Sequence, residues 1–174
     1  MKKIKIVFLL IFFGNIFTHV TAQSANSSWQ KLYALSGDWV GEGAGNPGQG
    51  GGGFSFGYDL DKKIMIRKSH AEYPAAGNKP KIIHDDLMII YRGVSDSVKA
   101  IYFDSEGHSI NYSINFLDDK TIQFVSNAQT TMPGFRLTYR FSNADNMMVD
   151  FEIAPPGDPE SFKSYVKGAA HRKK

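Results

Sequence analysis

The residues with the most chemistry to offer lie in two short stretches. KSHAEYPAAGNKPKIIHDD, residues 68–86, carries His70, Glu72, His84, Asp85 and Asp86 on either side of a Pro/Gly turn. YFDSEGH, residues 102–108, carries Tyr102, Asp104 and His108. Three imidazoles among carboxylates suit two kinds of chemistry. Neutral His70, His84 and His108 from neighbouring strands can make a facial set for Zn²⁺ or another divalent metal, with Glu72, Asp86 or Asp104 nearby. A His held by a carboxylate can also act as a general base, with Tyr73, Tyr102 or Tyr112 as a proton donor. Neither reading rests on a short motif, because the chain has no HxH or HExxH and no Ser in a nucleophile elbow. The plainer alternative is a rim network in which histidines and acids satisfy one another.

A third stretch looks like chemistry and is not. GAGNPG matches GxGxxG at Gly43, Gly45 and Gly48. More glycines follow, no helix opens there, and no βαβ unit surrounds it, so a dinucleotide fingerprint is excluded. It reads instead as a flexible loop folding over the mouth of whatever the strands build.

The segments that carry these residues read almost entirely as strands. One short helix is expected in SSWQKLYALSG (27–37), where Ser28 can cap, Trp29, Leu32 and Leu35 fall near one face, and Gly37 can end it. Ten strands follow, at Asp38–Gly43, Gly53–Leu60, Lys63–Tyr73, Lys81–Tyr91, Val98–Asp104, His108–Leu117, Thr121–Asn127, Phe135–Ser142, Met147–Ile153 and Phe162–Ala170. HSINYSINF alternates cleanly, with His108, Ile110, Tyr112, Ile114 and Phe116 on one face. FRLTYRF does the same with Phe135, Leu137, Tyr139 and Phe141. One wet face and one apolar face mean antiparallel strands over a single core. The short connections favour an up-and-down barrel over a two-sheet sandwich, since closure removes exposed edges.

In such a barrel every second connection lies at the same end. One end collects LDKK, RGVSDS, LDDK and NADN, with the helix entering there as a plug. The other collects GAGNPGQGGG, YPAAGNKP, DSEGH, NAQTTMPG and APPGDPE, which are longer and richer in Gly and Pro. Ligand sites favour the rim that carries the long loops. A turn centred near Gly77 sets His70 opposite His84 and Lys68 opposite Asp86. A three-residue loop with Gly107 left-handed sets Asp104 against His108. On this register all three histidines and Asp104 point inward at the long-loop rim, His70 with Ile64 and Ile66, His84 with Met88 and Ile90. The inward aromatics Phe54, Phe56, Tyr112, Phe116, Phe135, Tyr139 and Phe151 are expected to line a cavity rather than fill it.

Residues 1–22 read as a cleaved bacterial Sec-type signal peptide. Lys2, Lys3 and Lys5 form the basic region, IVFLLIFFGNIF the apolar one, and Val20-Thr21-Ala22 the cleavage site. Residues 23–174 are then one domain, exported to the periplasm or beyond, with no membrane insertion after cleavage. The chain has 20 Lys+Arg and 17 Asp+Glu. The signal removes three Lys and no acid, leaving 17 of each, so a basic surface for nucleic acid is not expected. There is no Cys, which excludes disulfides, a lipoprotein anchor and thiolate metal sites.

Gly37-Asp38-Trp39 after a short helix resembles the G-x-W signature of the calycins, the lipocalins and fatty-acid-binding proteins. That resemblance implies a Trp closing the barrel base under a basic residue of the last strand, here near Arg172. GDWVGEGAG with ten strands is similar to the nitrobindin type of haem barrel. FKSYVKGAA, however, lacks the last-strand His that would ligate haem, and His171 lies beyond it. The runs GGFSF, HAEYPAA, HDDLMIIY, YFDSEGH, FRLTYR and FEIAPPG resemble small bacterial calycin-like proteins over nearly all of residues 23–174. This implies a ten-stranded antiparallel calycin-like barrel and carries no activity or cofactor with it.

The expectation is thus an exported monomer or homodimer that binds a small, partly apolar molecule. Polar recognition falls to His70, Glu72, His84, Asp86, Tyr102, Asp104, His108, Tyr112 and Tyr139. The alternative is a metal-dependent hydrolase or isomerase using the same cluster, with His70, His84 and His108 as metal ligands.

Overall fold

The computed structural model describes residues 28–42, 51–75, 77–78, 80–127 and 130–174. The signal-peptide segment 1–22 and the Gly-rich loop segment 43–50 lie outside the described residues. Ten antiparallel strands close into one barrel in meander order, each strand paired with its neighbours in sequence and the first with the last. They are β1 (Gly37–Glu42), β2 (Gly51–Asp59), β3 (Ile64–Tyr73), β4 (Ile82–Arg92), β5 (Val98–Asp104), β6 (Ser109–Phe116), β7 (Thr121–Ser126), β8 (Gly134–Asn143), β9 (Asn146–Ala154) and β10 (Lys163–Arg172). The all-β, up-and-down barrel expected from the alternation is the fold observed. β10 runs two residues beyond the expected strand, so His171 and Arg172 belong to the barrel wall.

The base is closed by the N-terminal segment. A turn of α-helix, Ser28–Lys31, runs directly into a 3₁₀ turn, Leu32–Leu35. Trp29, Leu32 and Leu35 are buried, so the apolar face read from the sequence is the face that plugs the barrel. The Trp29 indole N–H donates to the Lys62 carbonyl at 3.1 Å and the Trp39 indole N–H to the Leu35 carbonyl at 2.8 Å. Arg172 stacks its guanidinium 4.3 Å from the Trp39 ring and donates to the carbonyls of Ala34, Ser36 and Ala144. Gly37 makes this possible. Its φ is +113°, and a Cβ there would come 2.6 Å from the Arg172 guanidinium.

Inside, aromatic rings pack in a continuous layer. Trp39 stacks on Phe54, Phe54 and Phe56 contact Tyr139, and Tyr139 meets Phe124, which meets Tyr112, all with centroids 5.6–6.4 Å apart. Phe56, Tyr112, Phe124 and Tyr139 are buried. This corrects the expectation of a cavity lined by these side chains: Phe56, Tyr112 and Tyr139 fill the core, because edge-to-face packing closes the space between them. Phe54, Phe116, Phe135 and Phe151 are only partly buried against that layer.

Candidate functional site

The site is fixed by the registers of β3, β4 and β5. In the β3–β4 ladder His70 lies opposite Asp85, His84 opposite Ala71, and Asp86 opposite Ser69. The expected pairings of His70 with His84 and of Lys68 with Asp86 are therefore off by one residue. A one-residue slip reverses the facing of a strand. β3 turns Met65 and Arg67 inward, both buried, and sends Ile64, Ile66, His70 and Glu72 to the outer side. β4 keeps His84, Asp86, Met88 and Ile90 inward as expected, and β5 keeps Tyr102 and Asp104 inward opposite them.

Three groupings result. On the outer wall His70 Nδ1 lies 2.6 Å from Asp85 and its Nε2 3.4 Å from Glu72, while Lys81 reaches Glu72 at 2.7 Å. The Asp85 hydrogen bond, then the Glu72 one, holds the His70 imidazolium above the usual histidine range. Lys81, then His70, holds Glu72 below the usual carboxylate range. A shallow groove of about 740 Å³ runs along this outer surface, lined by Gly51, Gly52, His70, Glu72, Pro74, Ala75 and Lys81.

Inside the wall Arg67 forms an ion pair with Asp86, their side chains only 9% and 6% exposed. The guanidinium also lies 5.3 Å from the Phe54 ring centroid. Burial acts against its charge, but Tyr139 and Asp86 outweigh that and hold it firmly protonated. Burial likewise pushes the Tyr139 phenol up to about 12, against the pull of Arg67. The Tyr139 hydroxyl lies close enough to the guanidinium to interact with it, yet neither Arg67 Nε nor that hydroxyl makes an aligned hydrogen bond. Both are buried polar atoms with no partner among the described residues.

At the mouth, His84 Nδ1 lies 3.0 Å from the Glu106 carboxylate and its Nε2 3.1 Å from the Tyr102 hydroxyl. A carboxylate only accepts, so Nδ1 carries the proton of the neutral ring and Nε2 accepts from Tyr102. Burial, then Asp86 and Asp104, raises the Tyr102 phenol far above its ordinary value, so it stays a donor. Burial alone would raise Asp104. The His108 backbone and ring outweigh it and hold that carboxylate below its usual range. Asp104 Oδ1 accepts the backbone N–H groups of Glu106 and His108, and Oδ2 lies 2.8 Å from His108 Nδ1.

The nine residues singled out from the sequence thus divide. His84, Asp86, Tyr102 and Asp104 come together with His108 at the mouth, Tyr112 and Tyr139 lie in the packed interior, and His70 and Glu72 sit outside. The three-histidine metal set is not assembled. Arg67 and Glu106 were missed. Arg67 has the parity opposite to His70, so the register that misplaced one hid the other. Glu106 is the residue of DSEGH that the short turn itself aims back toward His84.

Comparison with protein-family models and with curated proteins finds no match. No helix among the described residues is long and apolar enough to cross a membrane.

Proposed function

We propose that the chain is a calycin-like, exported binding protein for a small, partly apolar molecule that enters at the long-loop rim. The carrying observation is that two of the buried polar atoms without an aligned hydrogen-bond partner, Arg67 Nε and the Tyr139 hydroxyl, belong to neighbouring side chains inside the barrel. A buried unpaired donor costs about 1–3 kcal/mol, and its usual explanation is a water or ligand oxygen. Because Asp86 already balances the Arg67 charge, a neutral oxygen acceptor such as a carbonyl or hydroxyl suits the site better than a carboxylate. The apolar part of the guest would meet the half-buried Tyr102, Ile110, Phe135 and Phe151.

The test is native mass spectrometry of the purified protein with a panel of lipophilic ketones, alcohols and acids, with and without Tyr139→Phe. One guest per chain is expected, with about tenfold weaker binding after loss of the hydroxyl. Retention of none of the panel would overturn the reading.

A second reading has its own observation. Glu106, His84 and Tyr102 form a carboxylate–imidazole–phenol chain, an arrangement suited to moving a proton to or from a bound substrate. Tyr102→Phe would abolish such catalysis while leaving guest retention largely intact.

A further inference from the structure

The mouth network has a second use that does not depend on a guest in the barrel. His84, Asp104 and Glu106 each offer one ligand atom, and these atoms lie within 4.8 Å of one another. We propose that this trio binds a first-row divalent cation, Zn²⁺ in the first place, at the lip of the barrel.

The spacing fits. Metal bonds of about 2.0–2.2 Å put neighbouring ligand atoms roughly 3–4 Å apart. The 3.0 Å separation of His84 Nδ1 from Glu106 matches one edge of such a polyhedron. Closing the longest separation needs only a small shift, and Glu106 sits on an exposed hairpin tip between β5 and β6. A cation would replace the Nδ1 proton that now bridges the two side chains. One imidazole and two carboxylates, with no thiolate, form a donor set for Zn²⁺ or Mn²⁺ rather than for Cu⁺.

The surroundings supply what ligands to a metal need, orienting partners outside the trio. With the metal on Nδ1, His84 Nε2 becomes the donor, facing the Tyr102 hydroxyl at 3.1 Å and the Asp86 carboxylate at 3.7 Å. Asp104 is aimed by the His108 backbone at 2.8 Å and by the His108 ring behind it. The charge balance points the same way. Asp86, Asp104 and Glu106 bring three carboxylates together against the single guanidinium of Arg67, and two of the three side chains are only 6% and 7% exposed. A dication relieves that excess where water is scarce. The half-exposed side of the trio leaves an entry path and open coordination positions.

The experiment is titration of the metal-stripped, purified protein with Zn²⁺ by calorimetry, and with Co²⁺ by visible absorption. The proposal expects one ion per chain and a Co²⁺ spectrum with nitrogen ligation. Glu106→Gln and His84→Ala should each weaken Zn²⁺ at least about tenfold. His70→Ala, on the outer wall, should leave it unchanged. Glu106→Gln changes an exposed turn residue, so the test stands even if His84→Ala fails to fold. Absence of stoichiometric binding would overturn the proposal. So would binding that survives Glu106→Gln at full strength, or binding lost in His70→Ala.

Discussion

Arg67 and Asp86 meet as a buried ion pair across adjacent strands, Arg67 diagonal to Asp86 because it is Met88 that lies directly opposite Arg67. Asp86 in turn lies directly opposite Asp104. Two buried carboxylates are thereby held side by side, one paired with the guanidinium and the other hydrogen-bonded by the His108 ring and backbone N–H groups. This juxtaposition joins the packed interior to the mouth, and most of the site's chemistry follows from it.

Removing one member of the pair leaves the other charged and buried. Arg67→Met is expected to destabilise the fold by about 3–5 kcal/mol. Arg67→Met combined with Asp86→Leu should recover much of that loss, since neither member of the pair is then left charged without its partner. Urea unfolding of the single and double variants decides it; equal losses in both would show that packing, not charge, sets the cost.

Trp39 carries the base. It is buried, stacks under Arg172, and reaches the Leu35 carbonyl through its indole N–H. Trp39→Ala should cost about 3–5 kcal/mol from the lost ring and the space it leaves. Trp39→Phe keeps the packing but leaves the carbonyl unpaired, so a smaller loss is expected. Thermal unfolding monitored by near-ultraviolet dichroism measures both.

The outer-wall cluster makes a pH prediction with two limbs of opposite sense. His70 is raised in the folded state, so its contribution is complete below the ordinary histidine range and is lost as pH rises through the raised value. Glu72 is lowered, so its contribution is complete above the ordinary glutamate value and is lost as pH falls through the lowered one. The cluster is therefore strongest in mildly acidic solution, between the two. Proton NMR titration of the His70 ring should show its midpoint moving down in Asp85→Asn, whose carboxylate supplies the largest upward push. A midpoint unmoved by that change contradicts the assignment.

Gly52 tests how tightly β2 and β3 approach at the rim. A Cβ at Gly52 would run into the His70 carbonyl and lie 2.8 Å from the Ala71 Cα, both rigid backbone, while one at Gly51 meets nothing within 4 Å. Gly52→Ala should destabilise by about 2 kcal/mol or more, and Gly51→Ala by less than about 0.5 kcal/mol. Chemical denaturation of the two neighbours, each a single added methyl, gives the comparison.

Much of this architecture was legible in the chain alone. Two strands with one apolar and one polar face, β6 and β8, settled the strand period and the facing of Tyr112 and Tyr139. The three-residue loop after Asp104 leaves no freedom of register, so the contact of Asp104 with His108 was readable from DSEGH itself. β3 was not readable in the same way. It carries Ile64 and Ile66 on the outside and Met65 on the inside, so alternation names no inner face. Its turn to β4 spans eight residues, too long to dictate which residues meet.

A closed antiparallel barrel, its plugged base, and the rim at which polar residues gather could all be read along the chain, because side-chain period and turn chemistry are local properties. That His70 faces solvent, that Arg67 lies buried against Asp86, and that Glu106 turns back to His84 emerge only once the strands are paired. Those outcomes depend on a single-residue register between strands and on the electrostatic need to place a guanidinium beside adjoining carboxylates, and both are set by neighbours across the sheet rather than along the chain.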